Sequence, residues 1–384
     1  MATTSLPIPL TGVPFPLSEF ERRQQKVLAA MERAELDALL VTAHSHLRYL
    51  TGFPGYGGYF RPFPFILAPG HKPTFVVREY DVESVRAYSC IDEIVPYTHG
   101  DDFAKVCADV LRRYGLQSKR IGFELGCWNL APADVSALQA QLPEMKIPDA
   151  TRLVPSVGAV KTELELEVMR DAMRMTDLAV RTFQGSLREG VSEAEMMATI
   201  EAEVGRAGGE TAACLLFGER TKLPHGRPTQ HPIKMNEPAF FEVAASKHGY
   251  ASGLVRCAVL GRHPETESLH ALAVEVLETV IAAMKPGITA ASVHAAGVKA
   301  LKRSGRSNVF RQRTGYQTGV NWGERGDLSL EPGVEDLIES GMTLHIPNIL
   351  FSESGYICGV SASVLVTERG AEPLSDIPYT LYRA

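Results

Sequence analysis

The sequence predicts an α/β domain over residues 1–155 followed by an α+β domain over residues 156–384, and three observations carry that prediction. In the first domain, short apolar runs alternate with helix-length amphipathic stretches, the pattern of strands interleaved with helices. In the second, long amphipathic stretches flank a pair of apolar, strand-like runs. Between the two, Arg152-Leu153-Val154-Pro155 interrupts the periodicity, which sets the junction at about residues 151–158.

The first domain opens with a helix over residues 18–34, and Leu36-Asp37-Ala38-Leu39-Leu40-Val41-Thr42 follows as a short buried strand. Further strands are expected at 63–68, 74–77, 94–97 and 120–124, with helices at 101–114 and 132–142. The second domain starts with a long amphipathic helix over 162–188. Ser192 and Glu195 have the spacing of a capping box for the next helix, which runs to about Ala207. Helices over 265–284 and 290–303 are each closed by a breaker, Lys285-Pro286-Gly287 after the first and Gly305 after the second.

With 384 residues, 45% hydrophobic and 22% charged, the chain has material for two cores of about 100–200 residues each. A formal net charge of −6 gives no electrostatic case for nucleic acid or an anionic membrane as partner. There is no run of about 18 apolar residues, and Met1 to Phe15 has no basic start before an apolar stretch, so a cytoplasmic location is expected. Six cysteines (Cys90, Cys107, Cys127, Cys214, Cys257 and Cys358) lack C-x-x-C spacing, which argues against a zinc site or a disulfide framework.

The chemistry concentrates around residues 237–260. Two apolar strands flank the polar turn Ser246-Lys247-His248-Gly249, a hairpin pattern. Glu242 stands mid-strand between Phe240-Phe241 and Val243-Ala244-Ala245, so apolar side chains flank its carboxylate, and a buried acid needs a partner or a function. It could bind an amidinium, position an attacking water or attack as a nucleophile; a salt bridge to Arg256 is the structural alternative. His225 lies in Lys222-Leu223-Pro224-His225-Gly226-Arg227-Pro228, a loop bounded by Pro and Gly, where functional side chains concentrate and where an imidazole suits proton transfer.

The hairpin resembles the signature of the creatinase/aminopeptidase P/methionine aminopeptidase superfamily, close to D-x-G-x-x-x-x-G-Y-x-S-D-x-T-R-T. Glu242 falls on its first ligand position; Gly249-Tyr250, Ser252 and Arg256 match; Gly253 replaces the second ligand. The histidine ligand falls on Tyr316 of Gly315-Tyr316-Gln317-Thr318-Gly319, the first ligand glutamate near Pro347 and the last near Ser361. A divalent pair needs several hard oxygen or imidazole ligands within about 2.0–2.6 Å. One glutamate among five positions leads to the expectation of no catalytic metal and no other cofactor. The resemblance implies a creatinase-like N-terminal domain followed by a pita-bread catalytic domain.

Within that superfamily the chain is most similar to the metal-free ectoine hydrolases and creatinases. Shared with ectoine hydrolases are Leu223-Pro224-His225, Phe240-Phe241-Glu242, Arg313-Thr314-Gly315-Tyr316, Trp322-Gly323-Glu324-Arg325, and Gly341-Met342-Thr343 with His345. The resemblance makes His225, Glu242 and His345 the expected catalytic residues. It makes Tyr59, Arg61, Tyr250, Arg256, Tyr316, Trp322, Glu324 and Arg325 the expected substrate contacts. Arg61 ends the glycine-aromatic loop Gly55-Tyr56-Gly57-Gly58-Tyr59-Phe60-Arg61. In creatinases an arginine at a similar place enters the partner subunit's site and meets the substrate carboxylate, which suits the bidentate guanidinium fork and implies a homodimer. Tyr316 is positioned by the same likeness to hydrogen-bond a substrate or an oxyanion.

The implied activity is metal-independent hydrolysis of a non-peptide C–N bond in a small polar carboxylated compound, such as ectoine or a similar cyclic amidine. A metal-dependent Xaa-Pro peptidase, a lyase on the same fold and a non-catalytic binding protein stay open as alternatives.

Overall fold

The computed structural model describes residues 15–55, 62–98, 100, 101, 103–324 and 326–384. The chain divides into two compact units, Met1–Gly158 with Glu324–Gly326, and Ala159–Gly323 with Asp327–Ala384.

The first unit runs α1 (Leu17–Arg33), β1 (Ala38–Val41), α2 (His44–Thr51), β2 (Phe65–Leu67), β3 (Thr74–Arg78), α3 (Val82–Tyr88), β4 (Glu93–Tyr97), α4 (Phe103–Arg113), β5 (Ile121–Phe123), α5 (Pro132–Gln141) and α6 (Leu153–Val157). Its five strands form one mixed sheet in the order β4-β3-β2-β1-β5. Leu40 pairs with Ile66 on one side and Phe123 on the other, so β1 is an inner strand, consistent with its four buried apolar residues. The apolar face of α4, with Phe103, Cys107 and Leu111, closes over Leu40, Ile66, Val76 and Phe123. The short helix α2 is absent from the sequence reading, because eight residues carry too little periodicity to register. Just before it, the buried Glu124 carboxylate accepts from Thr42 N at 2.7 Å and from Ala43 N, at the N-cap, at 2.8 Å, which places a negative charge at the start of the helix.

The second unit runs α7 (Glu163–Ser186), α8 (Glu193–Arg206), β6 (Glu210–Phe217), β7 (Glu237–Lys247), β8 (Tyr250–Leu260), α9 (Pro264–Ala283), α10 (Ala290–Arg303), β9 (Gly315–Gln317), β10 (Ser329–Leu330), β11 (Thr343–Phe351), β12 (Ile357–Thr367), β13 (Gly370–Pro373) and β14 (Tyr382–Arg383). Helix α7 begins with a full capping box, Thr162 accepting from Glu165 N while the Glu165 carboxylate accepts from Thr162 N. The box expected at α8 is only half made. Ser192 accepts from Glu195 N, but the Glu195 carboxylate accepts from Arg188 instead of reaching back.

Two sheets face each other in this unit, one ordered β14-β8-β7-β6 and the other β10-β9-β11-β12-β13. The β7–β8 hairpin closes through His248 and Gly249 at φ 51 and 81, the two positive values a type I′ turn needs. Alternation along β7 sends Phe241, Val243 and Ala245 into a core with Phe183 of α7 and Met196 and Ile200 of α8. Phe240 points the other way, into the core containing Leu269 and Leu272 of α9, and Glu242 shares that face. The outer side of β8 is closed by groups from beyond its own sheet. Ala251 N donates to Gly319 O at 2.9 Å, Gly253 N to Ser363 Oγ at 3.2 Å and Val255 N to Ser361 Oγ at 2.6 Å. The site is built along this seam. Among the described residues, no helix is long and apolar enough to cross a membrane.

Candidate active site

Glu242 sits opposite Cys214 on β6 and Val255 on β8. Its carboxylate makes no hydrogen bond or ion pair with any described residue, and burial pushes it up to about 7. Burial first and the charge of Glu242 second make both the Cys214 thiol and the Tyr316 phenol harder to ionise, which puts those two groups beside it. Near neutral pH this carboxyl can therefore hold or release a proton.

Across from it, β9 and β11 bring Tyr316 and His345 into register as a strand pair. Tyr316 Oη lies 3.0 Å from His345 Nδ1, with the rings edge to face, and His345 Nε2 lies 2.9 Å from Ser361 Oγ. His345 is fully buried; burial, with Arg256 and Arg313 nearby, pulls its imidazole down to about 3, so it is neutral at physiological pH. Burial first and Glu242 second hold Tyr316 well above the ordinary tyrosine value, so the phenol keeps its proton. The Arg313 guanidinium stacks over the Tyr316 ring, 4.1 Å from its centroid.

Gly253 faces the indole of Trp322. A Cβ on Gly253 would stand 2.9 Å from the indole Nε1 and 3.0 Å from Cε2, closer than carbon atoms tolerate. The family places its second metal ligand at this position, and here any side chain would have to displace the Trp322 indole. The other ligand positions hold Tyr316, Pro347 and Ser361, with Tyr316 and Ser361 already bound to His345. Among the described residues, the one group of three histidine, cysteine or acidic side chains close enough to share an ion is His46, Glu124 and Cys127, in the other unit. Glu242 alone does not make the donor set of a divalent pair.

His225 is exposed on the loop between β6 and β7. Gly226 N donates back to Leu223 O at 2.9 Å and His225 has φ 59, so Pro224 and His225 fill the two central places of a type II turn. A histidine at a place that favours glycine is strained, and such strain marks functional positions. The Cys214 thiol donates to Gly226 O at 3.3 Å, tying this turn to the strand residue opposite Glu242. Both ends of the loop are held by Glu193 at the start of α8. Its wholly buried carboxylate accepts from Phe217 N, Arg220 Nε, Thr229 N and Thr229 Oγ1, all between 2.8 and 3.0 Å.

Residues 167–368 match the model of metallopeptidase family M24, and residues 23–160 match the creatinase/prolidase N-terminal domain. The chain belongs to family M24. Like other members of this family of hydrolases, it is built on the pita-bread fold. It is similar to the prolidase of Thermococcus sibiricus, with a TM-score of 0.87 at 20% identity over 95% of this chain and 99% of that one. In sequence it is 29% identical to an uncharacterized hydrolase/peptidase, y4tL, of Sinorhizobium fredii, over 96% of this chain and 97% of the relative. It is 25% identical to the ectoine hydrolase of Halomonas elongata, over 97% of this chain and 98% of that enzyme.

Several expected contacts in this M24 chain are committed elsewhere. Tyr250 is interior, and its hydroxyl proton is already given to Glu165 Oε1 of the α7 capping box at 2.9 Å. Arg256 is equally buried and neither pairs with Glu242 nor opens to a pocket. Its guanidinium donates to the carbonyls of Val255, Ser361 and Ile377, each at 2.8 Å, which makes it the clamp holding β12 against β8. Glu324 belongs to the first unit, where Ser45 Oγ donates to it at 2.9 Å. Tyr59, Arg61 and Arg325 lie outside the described residues. Ser363 and Glu193 are not among the sequence-predicted site residues, and Ser361 and Arg313 enter there only as a lost ligand position and as part of a shared motif; the first-turn acid at Glu193 reads as an ordinary helix start.

Proposed function

We propose that this M24 hydrolase cleaves a non-peptide C–N bond in a small, polar, carboxylated compound without a catalytic metal, with ectoine or a related cyclic amidine as the substrate class. The observation that carries the reading is Glu242: one half-buried carboxyl, unpaired among the described residues and poised at about 7, where the family gathers several ligands. A lone acid suits a cationic amidinium, whose own positive charge makes its central carbon electrophilic. Water adds to that carbon and gives up a proton, which His225 passes to the leaving nitrogen as the C–N bond breaks; if Glu242 attacks instead, water opens the resulting acyl-enzyme in a second step and frees the carboxylate. Tyr316 stabilises the oxygen that gains charge in the tetrahedral intermediate. The likeness to the Halomonas elongata ectoine hydrolase supports ectoine as the first compound to try. Arg61 as carboxylate clamp and a homodimeric assembly belong to the same proposal and rest on the sequence resemblance alone.

The test is proton NMR of ectoine incubated with the purified protein in excess EDTA. Appearance of ring-opened, acetylated diaminobutyrate supports the proposal. Intact ectoine beside a folded protein removes that substrate, and turnover that depends on added Mn²⁺ or Co²⁺ overturns the metal-free reading.

A further inference from the structure

The hydrogens in the buried chain from β8 to Tyr316 can be assigned by counting donors and acceptors. Ser361 is wholly buried; its Oγ accepts the Val255 N–H at 2.6 Å and lies 2.9 Å from His345 Nε2. A serine hydroxyl has one proton to give. If His345 carried its proton on Nε2, Ser361 Oγ would face two N–H donors, and its own O–H would have no acceptor among the described residues, an arrangement that buried polar groups avoid. If Ser361 instead donates to Nε2, the imidazole proton sits on Nδ1 and points at Tyr316 Oη, 3.0 Å away. The phenol oxygen then acts as an acceptor inside the chain. Its own proton has no acceptor among the described residues and is left for the Glu242 side of the site.

We infer that Ser361 fixes His345 as the Nδ1–H tautomer and so turns the Tyr316 hydroxyl outward as a hydrogen-bond donor to the substrate. The use of that donor rests on the hydrolytic reading above; the tautomer does not. Both ends of the relay support it. The Val255 N–H is a fixed backbone donor of the β8 edge, and the neighbouring guanidinium of Arg256 holds the Ser361 carbonyl at 2.8 Å, so the serine cannot swing away. The neighbourhood of Arg256 and Arg313 also disfavours an imidazolium, which would have donated from both nitrogens and erased the direction of the chain. The consequence is a rule of selection: the group a substrate presents to Tyr316 must be an acceptor, a carbonyl or amidine-derived oxygen or the oxyanion made from it, while its cationic end goes to Glu242. Ser361 and His345 are positioning residues in this arrangement, and Tyr316 is the residue that touches substrate.

The test reads the tautomer directly. Full-length protein with ¹⁵N-labelled histidine is examined by long-range ¹H–¹⁵N spectroscopy, with His345 assigned by its loss in His345→Gln. The expected pattern is a protonated Nδ1 and a bare Nε2; the reverse pattern overturns the inference whatever the protein turns over. Ser361→Thr, which keeps the hydroxyl, should retain the wild-type pattern. Ser361→Ala should draw the two nitrogen shifts together as the tautomers mix, and an unchanged pattern there removes Ser361 as the cause. If the alanine variant does not fold, the wild-type and threonine spectra still decide. No substrate is needed, so failure to open ectoine would count against the hydrolytic reading alone.

Discussion

The indole of Trp322 lies where a side chain on Gly253 would have to go, with Nε1 only 2.9 Å from the position of a Cβ. Glycine and tryptophan are matched here as a pair, and the space for a ligand at this point of β8 is filled by an aromatic ring from beyond the hairpin.

Restoring the family's acid as Gly253→Asp should therefore cost stability without restoring metal binding. Overpacking of this kind costs about 1–3 kcal/mol. Thermal unfolding with and without Mn²⁺ measures both effects; a melting temperature that rises with Mn²⁺ in the variant but not in the parent would show that a carboxylate at 253 can complete a site.

Glu242 sets a pH dependence whose sign follows from burial. Its folded value of about 7 lies above the ordinary 4.5, so the folded state holds a proton that the unfolded state releases earlier. Stability from this group is complete at low pH and is lost as pH rises through about 7. Glu242→Gln should be more stable than the parent above that point, by at most about 3 kcal/mol, and should show no such gain near pH 4. Urea denaturation at a series of pH values checks this. If the working form is the carboxylate, kcat/KM for ectoine should rise across the same range.

Removing the phenol as Tyr316→Phe should lower kcat on ectoine by about 10²–10³-fold with little change in KM, the signature of a donor used in the transition state. Steady-state kinetics give the split; a change confined to KM would make Tyr316 a ground-state contact.

Glu193→Ala should loosen the loop that carries His225. Breaking a buried ion pair costs about 3–5 kcal/mol, and the partial exposure of Arg220 puts this one at the lower end. A lowered kcat that Glu193→Gln partly restores would locate the effect in loop position, since the single amide oxygen keeps an acceptor for one end of the loop, Phe217 N or Thr229 N, which donate to different oxygens of Glu193. Unchanged kinetics in a stable variant would dissociate the loop from the chemistry.

The parts legible in sequence were those coded locally. The hairpin is legible as two apolar runs around the polar turn that ends in His248-Gly249, and Glu242 stands out between Phe241 and Val243. A motif match does not say which of its side chains face a pocket and which the interior, so Tyr250 and Arg256 read as substrate contacts by resemblance while in the structure one donates to Glu165 and the other clamps β12. The capping-box spacing occurs twice, at Thr162 and at Ser192, and which of the two is complete depended on Arg188 drawing Glu195 away. Ser361 is legible only as a lost ligand position, and the bridging role that it and Ser363 play is not legible at all. Their role depends on the alignment of β12 with β8, more than a hundred residues earlier in the chain, and nothing local to Gly359-Val360-Ser361-Ala362-Ser363 encodes it.

The serines on β12 also carry a consequence for redesign. A hydroxyl at 361 accepts the Val255 amide and a hydroxyl at 363 serves both the N–H and the C=O of Gly253, so these positions act as mortar between strands. A carboxylate cannot simply be placed at 361, because the change would take from an amide of β8 its short hydroxyl acceptor. Building a ligand set along this seam would need the glycine, the indole and the serine to change together, so single substitutions meet a barrier that only a concerted change passes.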